Sequence, residues 1–312
     1  MAHDHQHHHG SVTGRRLGLS VALTLAFVLG EAAAGYRARS LALMSDAGHN
    51  FADALALIFS WSALHVARWP SHSRLTFGYH RAGIFAALVN ALSLVVIALF
   101  IFWEAFERLH TPRPVEGGPM IVVALVAIAL NTLISLWLRG EAKHDLNIRS
   151  AYLHMLGDAL SALGVVAAGV VVTLTGNPVA DPIVSIVIGL LILVSSWGIL
   201  NESVNVLLEG VPKGIDMADL ERAIAAVPGV LGTHDLHVWT VGSGIVACSC
   251  HIVVTEQSIS SGQQVLRAVA TVLRQQFLVA HSTIQVEVEG CDPDKLYCNM
   301  RPTKEPHAGH AH

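Results

Sequence analysis

Ser45-Asp46-Ala47-Gly48-His49-Asn50-Phe51-Ala52-Asp53-Ala54-Leu55 sets a histidine and two carboxylates inside an apolar run from Leu41 to Ala67. Ionisable groups are costly at such a position in hydrocarbon, so they mark function by default. The pattern recurs: His154-Met155-Leu156-Gly157-Asp158-Ala159-Leu160 repeats the His-x-x-x-Asp-Ala-Leu of His49 to Leu55, again within a long apolar run. A spacing of i, i+4 puts both side chains on one face of a helix. Two such helices facing each other offer two imidazole nitrogens and two carboxylate oxygens, a tetrahedral set suited to zinc. The bland reading, polar residues that only pack membrane helices together, is weakened because one spacing occurs on two helices.

The rest of the composition agrees with a membrane protein. Of 312 residues, 53% are hydrophobic and 13% charged, and the mean hydropathy is +0.53, too apolar for an ordinary soluble domain. The net charge of -4 and the absence of a basic arm give no sign of nucleic acid. Histidine is the outlier at 19 residues, equal to all Lys and Arg together. His3, His5, His7, His8 and His9 open the chain and His307, His310 and His312 close it. These ends read as native metal-gathering tails, since His-rich tracts bind metal by composition alone; an expression tag is the competing source of the first cluster. The four cysteines, Cys248, Cys250, Cys291 and Cys298, all follow the last apolar run. In a cytoplasmic segment they are read as metal ligands or buried fillers rather than disulfides. No cleaved targeting peptide is expected.

Six runs of bilayer-spanning length lie at about 17–36, 41–67, 82–106, 120–138, 148–174 and 182–200, and each must be helical to satisfy its backbone in lipid. With the N-terminus inside, the inner flanks hold Arg15, Arg16, Arg68, Arg74, Arg81, Arg139, Lys143 and Arg149, against Arg37, Arg39, Arg108 and Arg113 outside. That bias places both termini in the cytoplasm. The second and fifth helices then run in opposite directions. At ~1.5 Å per residue the first His/Asp pair lies about 12–18 Å below the outer face and the second about 9–15 Å from the inner one, so the two meet near the midplane.

The chain divides into a tail, 1–13, a transmembrane domain, 14–204, a small soluble domain, 205–290, and a Cys/His-containing tail, 291–312. The soluble part reads as helix 218–226, strand 234–240, strand 246–254, helix 263–277 and strand 283–288, an α+β domain with one sheet face free. The Gly242-Ser243-Gly244 turn marks a hairpin.

His49, Asp53, His154 and Asp158 are the expected midplane centre. A divalent ion held by two neutral and two anionic donors is charge-balanced in low dielectric; the empty site needs protons instead. Metal and protons then compete for one place, as in an antiporter. Asp46, one turn from His49, is left open between proton acceptor, path carboxylate and hydrogen-bond anchor, while Glu31, Asn50 and Asn131 read as packing or supporting groups. In the soluble domain His237, His251, His281 and Glu287 make a second candidate metal site, against surface histidines. Alternation puts His237 and Trp239 on one strand face. Cys291 and Cys298 are loosely spaced for zinc, and Cys248 and Cys250 read as buried apolar fillers.

The chain resembles the cation diffusion facilitator family of zinc exporters from about Gly14 to Cys298. The matching residues are Leu43-Met44-Ser45-Asp46-Ala47-Gly48-His49, Phe77-Gly78-Tyr79-His80-Arg81-Ala82, Tyr152-Leu153-His154 to Asp158, Ala180-Asp181-Pro182-Ile183, Leu207-Leu208-Glu209-Gly210-Val211-Pro212 and Asp235-Leu236-His237-Val238-Trp239. The resemblance implies a homodimer in a bacterial inner membrane, with six transmembrane helices and a cytoplasmic domain of metallochaperone-like, ferredoxin-like α+β fold that joins the subunits. It implies export of zinc, with cadmium or cobalt as further cargo, in exchange for protons. The two His/Asp pairs match that family's transport site in its zinc-preferring form, and His237, His251, His281 and Glu287 fall where relatives hold zinc, as a regulatory or structural ion. Some relatives carry a Cys-x-x-Cys near the end, where this chain has Lys295 in place of the first cysteine and Cys291 four residues earlier. No organic cofactor or catalytic activity is expected. The reading from another class is a membrane-bound zinc sensor that binds without flux; a membrane metalloenzyme lacks its His-Glu-x-x-His, and a nucleotide-driven pump its phosphate loop.

Overall fold

The computed structural model describes residues 10–139, 146–242 and 244–289. The first nine residues with their five histidines, the last histidines and Cys291 and Cys298 lie outside the described residues. The chain divides into two units, one of residues up to 65 with 85–202, the other of 66–84 with 203 onward.

The first unit is helical, as its apolar runs require. Six long helices, α1 (Gly10–Ala38), α2 (Leu41–Val66), α3 (Ala82–His110), α4 (Gly117–Leu138), α5 (Leu146–Thr175) and α6 (Ala180–Leu207), cover the six expected runs. Among the described residues four of them are long and apolar enough to cross a bilayer, at Ala82–His110, Gly117–Leu136, Tyr152–Thr175 and Ala180–Leu207. The apolar run of α2 is interrupted by Asp46, His49, Asn50 and Asp53. Where helices meet, small residues let them approach: Ala42, Ala52, Ala98, Ala124 and Ala168 share a core with Leu43, Leu94, Ile101, Met120, Val165, Ile188 and Ile192. α4 packs tightly against α5, where a Cβ on Gly117 would clash with the Gly169 carbonyl oxygen and Thr173 Oγ1.

The start of α2 is held from another helix. Its first amides have no partner within the helix, and the Asp181 carboxylate at the start of α6 accepts from Leu41 N at 2.7 Å, Ala42 N at 3.1 Å and Ser40 Oγ at 2.6 Å. Arg108 of α3 stands 3.6 Å from the same carboxylate and donates to the Arg39 carbonyl at 2.6 Å. An anion at a helix N-terminus is favourable both for those amides and for the helix dipole. It fixes the level of α2, and so of His49 and Asp53, two to three turns along.

The second unit is α7 (Met217–Ala225), β1 (Val230–Gly242), β2 (Ile245–Val254), α8 (Ile259–Phe277) and β3 (Val279–Glu287). Asp216 caps α7 by accepting from Ala218 N and Asp219 N, and Ser258 caps α8 by accepting from Ser261 N. The sheet order is β1-β2-β3, with β1–β2 an antiparallel hairpin and β2–β3 parallel through α8. Gly244 makes the turn with φ +74°, a conformation that glycine adopts without strain. Leu220, Ile224, Val269 and Leu273 of the helices cover Leu236, Val238, Cys248, Cys250, Ile252 and Val254 of one sheet face. Cys248 and Cys250 are therefore core fillers, and hydrogen bonding to Cys250 together with burial holds the Cys248 thiol above its usual range. Residues 66–84, placed by the sequence with the transmembrane part, group with this unit: Gly242 backs onto His80, and the Phe77 and His281 rings meet edge to face at 6.1 Å.

Candidate metal centres

In the helical unit α2 and α5 bring the two expected pairs together. His49 Nε2 lies 3.5 Å from Asp53 Oδ2 and 3.6 Å from Asp158 Oδ1; His154 Nε2 lies 3.1 Å from Asp53 Oδ2 and 3.7 Å from Asp158 Oδ2. Each imidazole thus faces both carboxylates, one from its own helix and one from the other. A tetrahedron with ~2.0–2.1 Å bonds has edges of about 3.3–3.4 Å, so these separations are of the size that a four-coordinate zinc ion requires. The rings stand edge to face, 5.9 Å apart. Asp158 is buried, and His154 is the exposed member. His49 Nδ1 and Asp53 Oδ2 are buried with no aligned hydrogen-bond partner; such atoms are costly unless a cation or proton serves them. The four residues border a cavity of about 450 Å³, whose other polar walls are Asn90, Ser161 and Ser195.

In the C-terminal unit the grouping differs from the sequence expectation. His251 and Glu287 do meet, with His251 Nδ1 2.9 Å from Glu287 Oε1. Their neighbour is His234 rather than His237 or His281: His234 Nε2 lies 3.0 Å from Glu287 Oε2, and its ring is 5.0 Å from that of His251. One ligand atom from each of the three lies within 4.8 Å of the others. The reason is a β-bulge. His234 pairs with His251 but His237 pairs with Ser249, so β1 spends one extra residue, and Asp235 takes φ +51°. The bulge shifts the phase of alternation. His234 joins the face of His251 and Glu287, while Leu236 and Val238 still enter the core.

His237 remains beside this group through Asp235, whose Oδ1 is 3.1 Å from His237 Nε2 and whose Oδ2 is 3.8 Å from His251 Nε2. His281, six residues before Glu287 on β3 and opposite Ala247, is exposed against Phe77. Burial alone would raise the Glu287 carboxyl, but hydrogen bonds from His234 and Gln285 and the charge of nearby imidazoles hold it below its usual range. Two imidazoles and an ionised carboxylate fit a zinc or similar borderline ion with one position left open. The signal in the sequence was Asp235 itself, since aspartate is among the few residues that take positive φ.

This architecture, long apolar helices with a polar four-residue centre followed by a small α+β unit, defines a membrane transporter of metal ions rather than an enzyme. Residues 17–208 match the cation efflux transmembrane domain and residues 212–289 the cytoplasmic domain of cation efflux proteins. The chain belongs to that family and is an integral membrane protein. It is 39% identical over 320 residues to the zinc transporter ZitB of Escherichia coli, covering 100% of both chains. It is 37% identical over 292 residues to the metal cation efflux system protein CzcD of Cupriavidus metallidurans, covering 94% of this chain and 92% of that one. Identity to the cadmium, cobalt and zinc/H(+)-K(+) antiporter of Bacillus subtilis is 35% over 306 residues, covering 96% and 97%.

Proposed function

We propose that this protein exports zinc from the cytoplasm in exchange for protons, by alternating access around His49, Asp53, His154 and Asp158. The observation that carries the reading is the set of N···O separations of 3.1–3.7 Å between two imidazoles and two carboxylates from two helices. Two carboxylates balance the charge of a divalent ion, so the loaded centre is neutral and tolerable in low dielectric. The unloaded centre takes protons instead, because imidazole and carboxylate must be deprotonated to bind metal. Cadmium and cobalt are secondary cargo for the same donors. The E. coli relative, a zinc transporter, and the B. subtilis relative, a cadmium, cobalt and zinc/H(+)-K(+) antiporter, support the assignment.

In this reading six helices span a bacterial inner membrane with both termini in the cytoplasm, and the chain works as a homodimer joined through its C-terminal unit. Zinc at His234, His251 and Glu287 has a regulatory or structural role there, and the His-rich ends collect metal. The test is zinc uptake into proteoliposomes with and without an acidic lumen, with His49→Ala as the blank. Uptake that rises with the gradient and vanishes in the variant is the expected result. Zinc binding without uptake under either condition would refute the reading in favour of a sensor.

A further inference from the structure

The four-residue centre does not account for every buried acid of the helical unit. Glu31 of α1 and Asp46 of α2 are 1% and 2% exposed, and Glu31 Oε1 and Asp46 Oδ1 are buried with no hydrogen-bond partner. The two carboxyls are neighbours, because Glu31 docks on α2 at Asn50, one turn from Asp46. Asn50, one turn beyond Asp46 on α2, donates to Glu31 Oε2 at 3.2 Å. Glu31 is thus seated between positions i and i+4 of α2. α2 and α5 run antiparallel, with His49 against Asp158 and Asp53 against His154, so Asp46, one turn before His49, comes level with Ser161, one turn beyond Asp158; Ser161 lines the cavity that His49, Asp53, His154 and Asp158 border.

Two neighbouring carboxylates inside hydrocarbon cannot both be ionised at tolerable cost without a cation; one proton shared between them removes a charge and supplies the missing donor. Among the described residues no lysine or arginine is placed to do this. Besides each other, the ionisable groups acting on the pair are His49 on α2 and Asp158 on α5. Neither α4 nor the adjoining stretches of α3 and α6 bring another: α4 has no ionisable residue, and those of α3 and α6 stand at the helix ends.

We infer that Glu31 and Asp46 form a proton-carrying site distinct from the metal centre, joined to its cavity through the Ser161 hydroxyl. The inference rests on the antiport reading and names where a proton of the exchange is held. With one proton the pair carries a single negative charge, and with two it is neutral. The second proton moves when hydronium in the cavity protonates Ser161 Oγ as that hydroxyl passes its own proton to the carboxylate; release is the reverse. Coupling is electrostatic. Repulsion from the Asp158 carboxylate favours the doubly protonated pair, and zinc bound through Asp158 cancels that repulsion. Metal arrival therefore expels a proton from a site that zinc does not touch, a reciprocal antagonism between two sites.

The test uses the full chain in proteoliposomes with Glu31→Gln, Asp46→Asn and the double variant. Zinc binding and zinc/zinc exchange without a gradient are expected to persist while acceleration by an acidic lumen is lost. The antagonism between proton and zinc affinity in wild type, of about 5- to 150-fold in typical coupled systems, is expected to shrink correspondingly. In wild type, the infrared C=O stretch of a protonated carboxyl should change on zinc addition, and Glu31→Gln should abolish that change. Ser161→Ala keeps both acids, so it should retain the infrared band while slowing gradient-driven uptake; it also serves if the acid variants fail to fold. Unchanged gradient dependence in the acid variants would overturn the inference, as would loss of zinc binding together with transport. A wild type that ignores the gradient would instead overturn the antiport reading itself.

Discussion

Replacing Asp181 by alanine should destabilise the helical unit far more than loss of an ordinary helix cap. The carboxylate is fully buried and accepts from Ser40 Oγ, Leu41 N and Ala42 N at 2.6, 2.7 and 3.1 Å, with Arg108 at 3.6 Å. Hydrogen bonds to a charged group contribute ~1.5–3 kcal/mol each, so three give a gross loss of about 4.5–9 kcal/mol. Against this, deleting the carboxylate removes the several kcal/mol its desolvation costs. Arg108 also keeps Glu104 Oε1 at 2.8 Å and the Arg39 carbonyl at 2.6 Å. The net expectation is the ~3–5 kcal/mol typical of breaking one side of a buried pair. Asp181→Asn should fall between, because its amide oxygen still accepts while its NH₂ faces amide donors. The assay is reversible unfolding of the detergent-solubilised protein by SDS, followed by helical circular dichroism. A loss below about 1 kcal/mol in Asp181→Ala, the range of an exposed cap, would refute the claim that this carboxylate anchors α2.

Other consequences follow from particular contacts. Gly117→Ala should cost ~1–3 kcal/mol by overpacking, because its Cβ would clash with the Gly169 carbonyl oxygen; unchanged unfolding would show that α4 and α5 can part there. In a His49→Ala, Asp158→Ala background, His234→Ala and Glu287→Ala should weaken residual zinc binding by equilibrium dialysis while His281→Ala leaves it unchanged; the opposite order would restore the grouping expected from strand alternation. Removing that metal with a chelator should lower the melting temperature of the C-terminal unit, since zinc at a hundred times its Kd stabilises by ~2.7 kcal/mol; no shift would argue against binding there. Leu278 ends α8 at φ +56° and is exposed, so Leu278→Gly should gain up to ~1 kcal/mol by relieving left-handed strain, read as a higher melting temperature.

The sequence by itself determined what repeats and what is periodic. Long apolar runs read as helices, so all six long helices were legible, and the i, i+4 spacing placed each His with its Asp. The same alternation made Cys248 and Cys250 core residues of a strand. Tertiary structure decided what depends on pairing between distant segments. His234 joins His251 and Glu287 because one extra residue at Asp235 inverts the phase of a period-two pattern, while His237 and His281 share that sheet face but pair further along it, opposite Ser249 and Ala247. Asp181 reads locally as the first turn of α6, yet its partners are the first amides of α2, about 140 residues away in sequence. Glu31 reads as a helix-packing group because no spacing links it to Asp46; only the docking of α1 on α2 brings the two carboxyls together. Short-range geometry is fixed by the backbone period, whereas register, capping across helices and acid–acid contacts are set by which elements pack, and no local pattern encodes that.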